Sequence, residues 1–215
     1  MPLNSRTPLA KNNLEKLYNN GHSMTEIAET LSCSVHKVAY WMEKYNLTRR
    51  TLSQAIYLKA NPEGDPFKIK TDLDRKEMFL LGLGLGIYWG EGERISKDKV
   101  RVANSNPEVI KAFIRFLLDI CQLKKHKLLY QIICFNDSNL VETKKYWSDQ
   151  LGVSQEKFGK IVQIPTQGKG TYKKKSSKGV CILTVSSIKL KPWIMKELQK
   201  LAYLPGWLSG RANSW

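Results

Sequence analysis

The sequence has no long hydrophobic segment: its longest nearly uncharged apolar run, from Met78 to Gly90, covers thirteen of the 215 residues. A helix that crosses a bilayer needs about 20 such residues. The N-terminus also lacks a basic segment followed by an apolar stretch, which is the pattern of a secretory signal. These absences predict a cytoplasmic protein without a membrane partner, associated with the nucleoid if the host is prokaryotic.

Paired cysteine motifs and histidine clusters are absent as well. The four cysteines are widely separated, without CxxC spacing, and the three histidines are scattered, so neither a zinc site nor a redox motif is indicated. We expect the cysteines to be buried free thiols, and we expect no small-molecule cofactor. The residues concerned are Cys33, Cys121, Cys134 and Cys181, with His22, His36 and His126.

Positive charge is what the sequence has in excess. Lys and Arg number 35 against 19 Asp and Glu, which gives a formal net charge of +16. Such a balance suits a polyanionic partner, nucleic acid ahead of an anionic membrane. Hydrophobic residues make up 42% of the chain, with six Trp, nine Tyr and six Phe, which is enough to fill a core and excludes a wholly disordered chain.

Turn-forming residues divide the chain in two. The segment Asn61-Pro-Glu-Gly-Asp-Pro66 cannot continue a helix and is interpreted as part of a linker. The sequence thus predicts a small all-α domain over residues 1–57, a linker over 58–75, an α+β domain over 76–204, and a C-terminal tail over 205–215.

The first domain reads as short helices. Leu14, Leu17 and Tyr18 mark a helix that ends at Asn20-Gly21, and Ser23 or Thr25 caps a second helix. After the turn Ser32-Cys-Ser34, a third helix has five inward apolar residues. These are Val35, Val38, Trp41, Met42 and Tyr45.

Residues Met24 to Glu43 resemble a helix-turn-helix DNA-binding motif. Ala28 occupies the small position where the helices approach, and Ser32 stands where the motif usually has glycine. Its buried positions are filled by Ile27, Leu31, Cys33, Val38 and Trp41. The alternative is a three-helix bundle that binds protein.

If the motif reads DNA, the N-terminal end of its second helix enters the major groove. The exposed residues expected there are Ser34, His36, Lys37 and Tyr40, with Ser34 and His36 offering hydrogen bonds to base edges and Lys37 meeting phosphate. Arg49 and Arg50, just after the helix, are further phosphate candidates or a solvated pair.

Glycines dominate the start of the second domain. Gly82, Gly86 and Gly90 recur every four residues, which places them on one side of a helix that a second helix can approach closely. We expect this helix to end at Gly92 in the left-handed conformation. Glu91 then lies at the negative end of the helix, where a divalent metal would offset the repulsion; the alternative is a solvated glutamate.

The segment Leu85-Gly-Ile-Tyr-Trp-Gly-Glu-Gly92 resembles the LAGLIDADG motif of homing endonucleases. In that family two such helices pack face to face, and their terminal acids hold divalent metal beside the scissile phosphates. The resemblance implies that Gly82, Gly86 and Gly90 contact a second helix, and that Glu91 and the carbonyl of Gly90 bind Mg²⁺ or a similar ion. A single motif in the chain implies a homodimer. Trp89 replaces the first acid of the motif, and Glu91 replaces its aspartate.

The rest of the domain fits the same family. The resemblance spans about residues 76 to 203 and implies an αββαβαββα-like order with an antiparallel sheet that faces DNA. The pattern predicts strands at 99–103, 127–135, 158–164 and 179–186, and helices at 108–121, 140–151 and 190–201.

Lysines cluster late in the domain, with ten and no acidic residue between Lys157 and Lys196. We expect those of the hairpin 168–178, with Lys99 and Arg101 of an early strand, to neutralise phosphates, and Tyr172 to reach a base. The hairpin residues concerned are Lys169, Tyr172, Lys173, Lys174, Lys175 and Lys178. The alternative interpretation of this lysine-rich segment is a solvated loop.

Two functions are open on this basis. One is a site-specific DNA endonuclease, in which metal ions held by Glu91 of each subunit assist phosphodiester hydrolysis. There Lys173 or Lys175 would stabilise the developing charge as a catalytic residue. The other is a non-cleaving transcription regulator with the same fold. A third interpretation, an RNA-binding splicing helper, would require a preference for structured RNA over duplex DNA.

Overall fold

The computed structural model divides the chain into two compact units, Met1–Asp65 and Pro66–Trp215. It describes residues 7–166 and 177–202, so the expected tail over 205–215 lies outside the described residues. The division falls within the expected linker, 58–75. Residues 58–60 are helical, and the main-chain nitrogens of Lys68 and Lys70 donate to the oxygens of Cys121 and Ile120. The connection between the units is therefore shorter than expected.

The described part of the first unit contains four helices. They are α1 (Lys11–Asn19), α2 (Met24–Thr30), α3 (Val35–Lys44) and α4 (Leu52–Ala60). Ser23 caps α2, because its hydroxyl accepts from the main-chain nitrogen of Glu26 while the Glu26 carboxylate accepts from the nitrogen of Ser23. Between α2 and α3, Ser32 has a φ of 48°, so this serine adopts the left-handed conformation that the motif usually assigns to glycine.

The core of the first unit lies between its first three helices. Its buried apolar residues are Leu9, Leu14, Ile27, Ala28, Val38, Trp41 and Met42, and Leu31 and Cys33 are half-buried beside them. The six positions that carry the helix-turn-helix resemblance are thus all at least half-buried. Val35 lies on the same side of α3 as Val38 and Met42, as expected, but at the first position of the helix its side chain is still 39% exposed.

The second unit begins with the glycine-rich helix α5 (Arg75–Glu91), which Asp74 caps through a capping box with Glu77. The elements that follow are β1 (Lys99–Asn104), α6 (Pro107–Arg115), β2 (Leu129–Phe135), α7 (Leu140–Leu151), β3 (Val162–Ile164), β4 (Val180–Ser186) and α8 (Leu190–Ala202). A turn of π-helix over Phe116–Ile120 extends α6 to the length expected from the sequence. The observed order has one strand after α5 where two were expected, with an isolated bridge between Gly92 and Val102.

The four strands form one mixed sheet in the order β1-β4-β2-β3. β4 pairs antiparallel with β1 and with β2, but β3 pairs parallel with β2. The expectation of an antiparallel sheet is therefore wrong at β3. The reason is that α7 carries the chain back across the sheet between β2 and β3, and such a crossover leaves the two strands parallel.

Helices α5, α6 and α8 pack against one face of this sheet. Alternate strand residues, among them Val102, Ile132 and Leu183, are buried on that face together with Phe113 and Trp147. Gly84 is required on the buried side of α5, because a Cβ at that position would lie 2.1 Å from Cγ of Phe116. The unit is thus a two-layer α+β structure, and none of its described helices covers the second face of the sheet, which we call the open face.

Candidate nucleic-acid interface

The N-terminal end of α3 presents His36 and Tyr40 to solvent, as expected. Ser34 is also exposed, but its hydroxyl accepts a hydrogen bond of 3.2 Å from the main-chain nitrogen of Lys37 and so caps the helix. Lys37 is only 9% exposed. The expectation that Lys37 is an exposed phosphate contact is therefore wrong, because Lys37 lies about 40° around α3 from the buried Trp41, at the edge of the helix side that faces the core.

Aromatic and cationic groups flank that face. The Tyr40 ring stands edge-on to Trp41, with ring centroids 5.4 Å apart. The ammonium of Lys44 lies 4.7 Å from the Trp41 ring centroid and 5.9 Å from that of Tyr40. A positive charge therefore accompanies the exposed tyrosine.

The two arginines after α3 differ in their surroundings. The guanidinium of Arg50 stacks 3.9 Å above the Tyr18 ring and donates to the main-chain oxygen of His22 at 3.1 Å. The main-chain nitrogen of Arg50 also donates to the Tyr18 hydroxyl at 2.7 Å. Arg50 thus stabilises the unit internally, whereas Arg49 is exposed.

The open face of the sheet in the second unit carries Lys99 and Arg101, both half-buried. Arg101 lies opposite Thr184 in the β1–β4 register, and its Nε donates to the Thr184 hydroxyl at 3.4 Å. None of the four strands contains an Asp or Glu. Towards β3 the same face becomes apolar, with Leu129, Val162 and Ile164 exposed.

Lys178 contacts two residues of α7. Its ammonium forms a 3.0 Å ion pair with Glu142 at the start of α7, and its main-chain oxygen accepts a hydrogen bond from the Trp147 indole at 2.7 Å. The other hairpin residues expected to contact DNA or to take part in catalysis lie outside the described residues. They are Lys169, Tyr172, Lys173, Lys174 and Lys175.

One side of α5 is exposed and apolar. Gly82, Gly86 and Gly90 all lie on it, and a Cβ built on each would meet no atom within 4 Å. The large apolar residues exposed along the helix are Met78, Phe79, Leu83 and Trp89. The structure thus places the three glycines on one face, as the four-residue spacing predicts.

The C-terminal end of α5 carries Glu91, whose side chain is exposed and has no hydrogen bond or ion pair to any other described residue. The next residue, Gly92, has φ −77° and ψ 133°, so the expectation of a left-handed end is wrong. Glycine is needed there for another reason: a Cβ would lie 2.2 Å from the main-chain oxygen of Tyr88. The extended Gly92 carries the chain to β1, where the nitrogen of Glu93 donates to the oxygen of Arg101.

A buried polar network lies just inside this end of α5. Lys191 of α8 is 3% exposed, and its ammonium donates to the Tyr88 hydroxyl and to the main-chain oxygen of Glu93. The Tyr88 hydroxyl donates to that same oxygen at 2.7 Å. Lys191 thereby ties α8 to the turn that follows Glu91.

Burial changes the acidity of these groups. It lowers the pKa of the Lys191 ammonium, an effect that the nearby Glu93 carboxylate opposes, and it raises the pKa of Tyr88 to about 12. The Glu93 carboxylate accepts from the main-chain nitrogen of Ser96 at 2.8 Å, and this hydrogen bond is the main cause of a lowered pKa. Its Oε2 is buried and has no hydrogen-bond partner among the described residues.

Two residues of this region were missed by the sequence analysis: Arg94 and Lys191. The Arg94 guanidinium donates to the main-chain oxygen of Trp89 at 2.6 Å, and a basic residue just past a helix end is a recognisable sign of such a contact. No sequence signal separates Lys191 from the exposed lysines around it.

The oxygen ligands that a hard cation prefers are present at this end of α5, in the carboxylate of Glu91 and the last helical carbonyls. The described part of one chain contains no group of three His, Cys, Asp or Glu residues close enough to share a metal ion. Glu91 therefore fits a metal only as a partial donor set, completed by a second chain, phosphate or water.

Comparison with protein-family models, curated proteins and solved structures finds no match to this chain. The resemblance to the LAGLIDADG and helix-turn-helix families therefore depends on the residues quoted above. Across residues 7–166 and 177–202, no helix has the length and apolar character that crossing a membrane requires. The class that the structure defines is an α+β protein with a mixed four-stranded sheet and a separate helical unit.

Proposed function

We propose that this chain is a sequence-specific double-stranded DNA-binding protein that acts, as a homodimer, as a divalent-metal-dependent DNA endonuclease. The observation that carries the proposal is the surface of α5, an exposed apolar face with three open glycines that ends in the exposed carboxylate of Glu91. A contiguous apolar surface of this kind favours a partner, and glycines at four-residue spacing let two helices approach closely.

Charge supports DNA as the substrate. The second unit holds 27 of the 35 basic residues but 13 of the 19 acidic ones. Its open sheet face presents Lys99 and Arg101 from strands without a carboxylate, which favours contact with a phosphate backbone. The first unit adds the exposed end of α3 as a reader of the major groove. A role on DNA agrees with a place in the cytoplasm, at the nucleoid of a prokaryotic host.

In the proposed dimer, α5 packs against α5 of the second copy, and the two Glu91 carboxylates meet at one end of the pair. Glu91 of each chain and the main-chain oxygen of Gly90 would hold the ion, Mg²⁺ being the first choice. When bound, the ion supplies positive charge for water activation and for the leaving oxygen. Lys99 and Arg101 bind and orient the phosphates, and the hydrogen bond from Glu93 to Arg101 keeps the end of α5 beside β1.

A non-cleaving transcription regulator is the second candidate, and one observation favours it. The Arg94 guanidinium donates to the Trp89 main-chain oxygen, so a cation of the protein already offsets the negative end of α5. Glu91 then needs no metal for electrostatic balance. In that case the same two surfaces would bind DNA without cutting it.

A cleavage assay distinguishes the endonuclease from the non-cleaving regulator. The full chain is incubated with Mg²⁺ and a plasmid library that contains its genomic neighbourhood, and the DNA ends are sequenced. Defined double-strand breaks that disappear with Glu91→Gln but persist with Glu108→Gln, an exposed glutamate of α6, support the endonuclease. Footprints without breaks support the regulator, and tighter binding to structured RNA than to duplex DNA would overturn both.

Assembly is tested separately by light scattering of the free protein and of its DNA complex. A dimer is expected, and Gly86→Leu should weaken it, because the added side chain enters the space that the second helix would occupy. The monomer has room for this side chain, since no atom lies within 4 Å of a Cβ at Gly86. A monomer in both samples would rule out the two-helix site.

A further inference from the structure

A cavity of about 280 Å³ opens where β2 begins, on the side of that strand towards β3. This volume is close to the lower end of the range found for small-molecule sites. Its lining residues are Lys125, His126, Leu128, Tyr130, Val153 and Lys157. The end of α5 lies beside β1, at the other edge of the sheet, so the cavity is separate from the site at Glu91.

Two turns of 3₁₀-helix form the walls of the cavity. The first is Lys125–Lys127, closed by a hydrogen bond of 3.2 Å from the main-chain nitrogen of Leu128 to the oxygen of Lys125. The second is Gln155–Lys157, which follows α7. Between α7 and this turn, the Ser148 hydroxyl donates to the main-chain oxygen of Val153 at 2.6 Å. Hydrogen bonds within the chain thus hold both walls in place, so that the cavity exists before a ligand binds.

The cavity is apolar inside and basic at its mouth. Leu128 and Tyr130 are only 3% and 6% exposed. The basic residues Lys125, His126 and Lys157 are all exposed, and their side chains form no hydrogen bond or ion pair with any other described residue. None of the lining residues is an Asp or Glu. The lining therefore favours a ligand with an apolar body and an anionic group.

The hydroxyl of Tyr130 narrows the choice of ligand. The Tyr130 ring packs against Phe158, with ring centroids 5.6 Å apart, but its hydroxyl has no hydrogen-bond partner in the described part of the chain. Burial raises the pKa of Tyr130 to about 12, so the hydroxyl keeps its proton and can donate to an acceptor. An acyl chain would leave this hydroxyl unpaired, which is unfavourable. A nucleobase instead offers an apolar ring face and acceptor atoms on its edge.

We propose that this cavity binds a nucleotide. The base lies against Leu128 and Tyr130, the Tyr130 hydroxyl donates to the edge of the base, and the phosphate lies beside Lys125 and Lys157. Aromatic side chains are common platforms for bases, and ammonium groups bind phosphate. The nucleotide can be a free nucleoside monophosphate or an unpaired nucleotide at the end of a DNA strand, since both present the same groups.

Ligand-detected nuclear magnetic resonance with the full chain tests the proposal, because this method measures weak binding. The nucleoside 5′-monophosphates of the common bases are titrated first. The one that binds most tightly is then compared with its own nucleoside, with ribose 5-phosphate, which lacks the base, and with inorganic phosphate. We expect the monophosphate to bind more tightly than each of these.

Two substitutions separate the contacts to the base from those to the phosphate. Tyr130→Phe removes only the hydroxyl and should weaken the binding of monophosphate and nucleoside alike by about fivefold, the value for one hydrogen bond. Lys157→Gln should weaken the binding of the monophosphate by about threefold, the value for one exposed charge pair, and leave that of the nucleoside unchanged. A loss caused by a distorted fold would not divide in this way.

The matched controls come from α7. Tyr146→Phe removes the hydroxyl of a half-buried tyrosine and Lys145→Gln the charge of an exposed lysine. Neither residue lines the cavity, so both variants should bind as the wild type does. Melting temperatures confirm that each variant is folded. If Tyr130→Phe did not fold, Lys157→Gln and the comparison with ribose 5-phosphate would still decide.

A duplex with one unpaired terminal nucleotide, compared with the blunt duplex, distinguishes the two sources. Tighter binding of the former that Tyr130→Phe removes indicates a nucleotide of DNA, whereas binding of the free monophosphates alone indicates a small-molecule ligand. The proposal is wrong if neither is bound, if inorganic phosphate binds as tightly as the best monophosphate, or if folded Tyr130→Phe or Lys157→Gln loses no affinity. None of these results bears on sequence-specific DNA binding or cleavage, so the proposed function is tested separately.

Discussion

The guanidinium of Arg94 donates a 2.6 Å hydrogen bond to the main-chain oxygen of Trp89, two residues before the end of α5. The carbonyls of the last helical turn have no partner within the helix and carry partial negative charge. Arg94 satisfies one of them and brings a positive charge to the place where Glu91 adds a negative one. The end of α5 is thus electrostatically balanced by a residue that follows it closely in the chain.

We expect Arg94→Gln to lower the stability of the second unit by about 0.5 kcal/mol at low ionic strength, because the helix end loses its cation. Added salt should reduce the difference, since the pair is exposed to solvent. The matched control is Arg75→Gln, which removes the same charge from the N-terminal end of α5, where a cation is unfavourable, and should not destabilise. Calorimetry of the full chain measures the stability of both variants. If Arg94→Gln and Arg75→Gln lowered the stability equally, the role of Arg94 would be contradicted.

Gly84 and Gly86 give opposite expectations for the same substitution. Gly84→Ala places a Cβ 2.1 Å from Cγ of the buried Phe116 and should reduce the free energy of unfolding by about 1–3 kcal/mol. Gly86→Ala meets open space and should leave stability unchanged or raise it by about 0.5–1 kcal/mol, because alanine favours the helix.

Denaturant unfolding of both variants tests this pair, at protein concentrations low enough to exclude association. If Gly86→Ala greatly reduced the free energy of unfolding under those conditions, the exposed side of α5 would have to be packed already within one chain.

The sequence was sufficient to predict most elements because their signals are local. The residues of α7 were predicted without error, and the glycine spacing correctly placed Gly82, Gly86 and Gly90 on one face of a helix. Ser34 illustrates the limit of such signals: a serine before a helix is both a cap and an exposed polar group, and only the hydrogen bond to Lys37 shows which role it plays.

Errors arose where tertiary contacts decide the outcome. The conformation of Gly92 follows from its closeness to Tyr88 and its bridge to Val102, which no local pattern contains. The parallel pairing of β3 likewise depends on how α7 crosses the sheet. Cleavage of DNA and the choice of metal would depend on the proposed dimer, and a single sequence contains no local pattern that decides them.

Lys99 and Arg101 should contribute to the salt dependence of DNA binding. Each contact between a basic side chain and a phosphate releases counterions, so its loss reduces the slope of log K against log salt by about 0.9. We expect Lys99→Gln and Arg101→Gln each to produce such a change. Lys111→Gln is the control, because Lys111 belongs to α6, on the helical side of the sheet, and pairs with Glu108 at 2.7 Å. A change of the same size for Lys111→Gln would place the DNA elsewhere.

Lys191 should make the stability of the second unit increase as the pH rises towards 10.5, the ordinary value for lysine. Burial lowers its pKa in the folded state, so the unfolded chain binds more protons between that lowered value and 10.5, and folding becomes more favourable as the pH increases through this range. Tyr88 acts in the opposite direction above pH 10, because its pKa is raised to about 12 and the unfolded chain loses this proton first.

The measurement is therefore the difference in melting temperature between the wild-type chain and Lys191→Met, followed from pH 7 to pH 10, since the variant keeps Tyr88 and the other titrating groups. The wild type should gain stability relative to the variant as the pH rises, because methionine fills the same space without a charge. Lys189→Met, two residues earlier, is the control for the loss of one lysine charge at this end of α8. A pH-independent difference for Lys191→Met would mean that the Lys191 ammonium keeps its proton throughout this range and acts only through its hydrogen bonds to Tyr88 and Glu93.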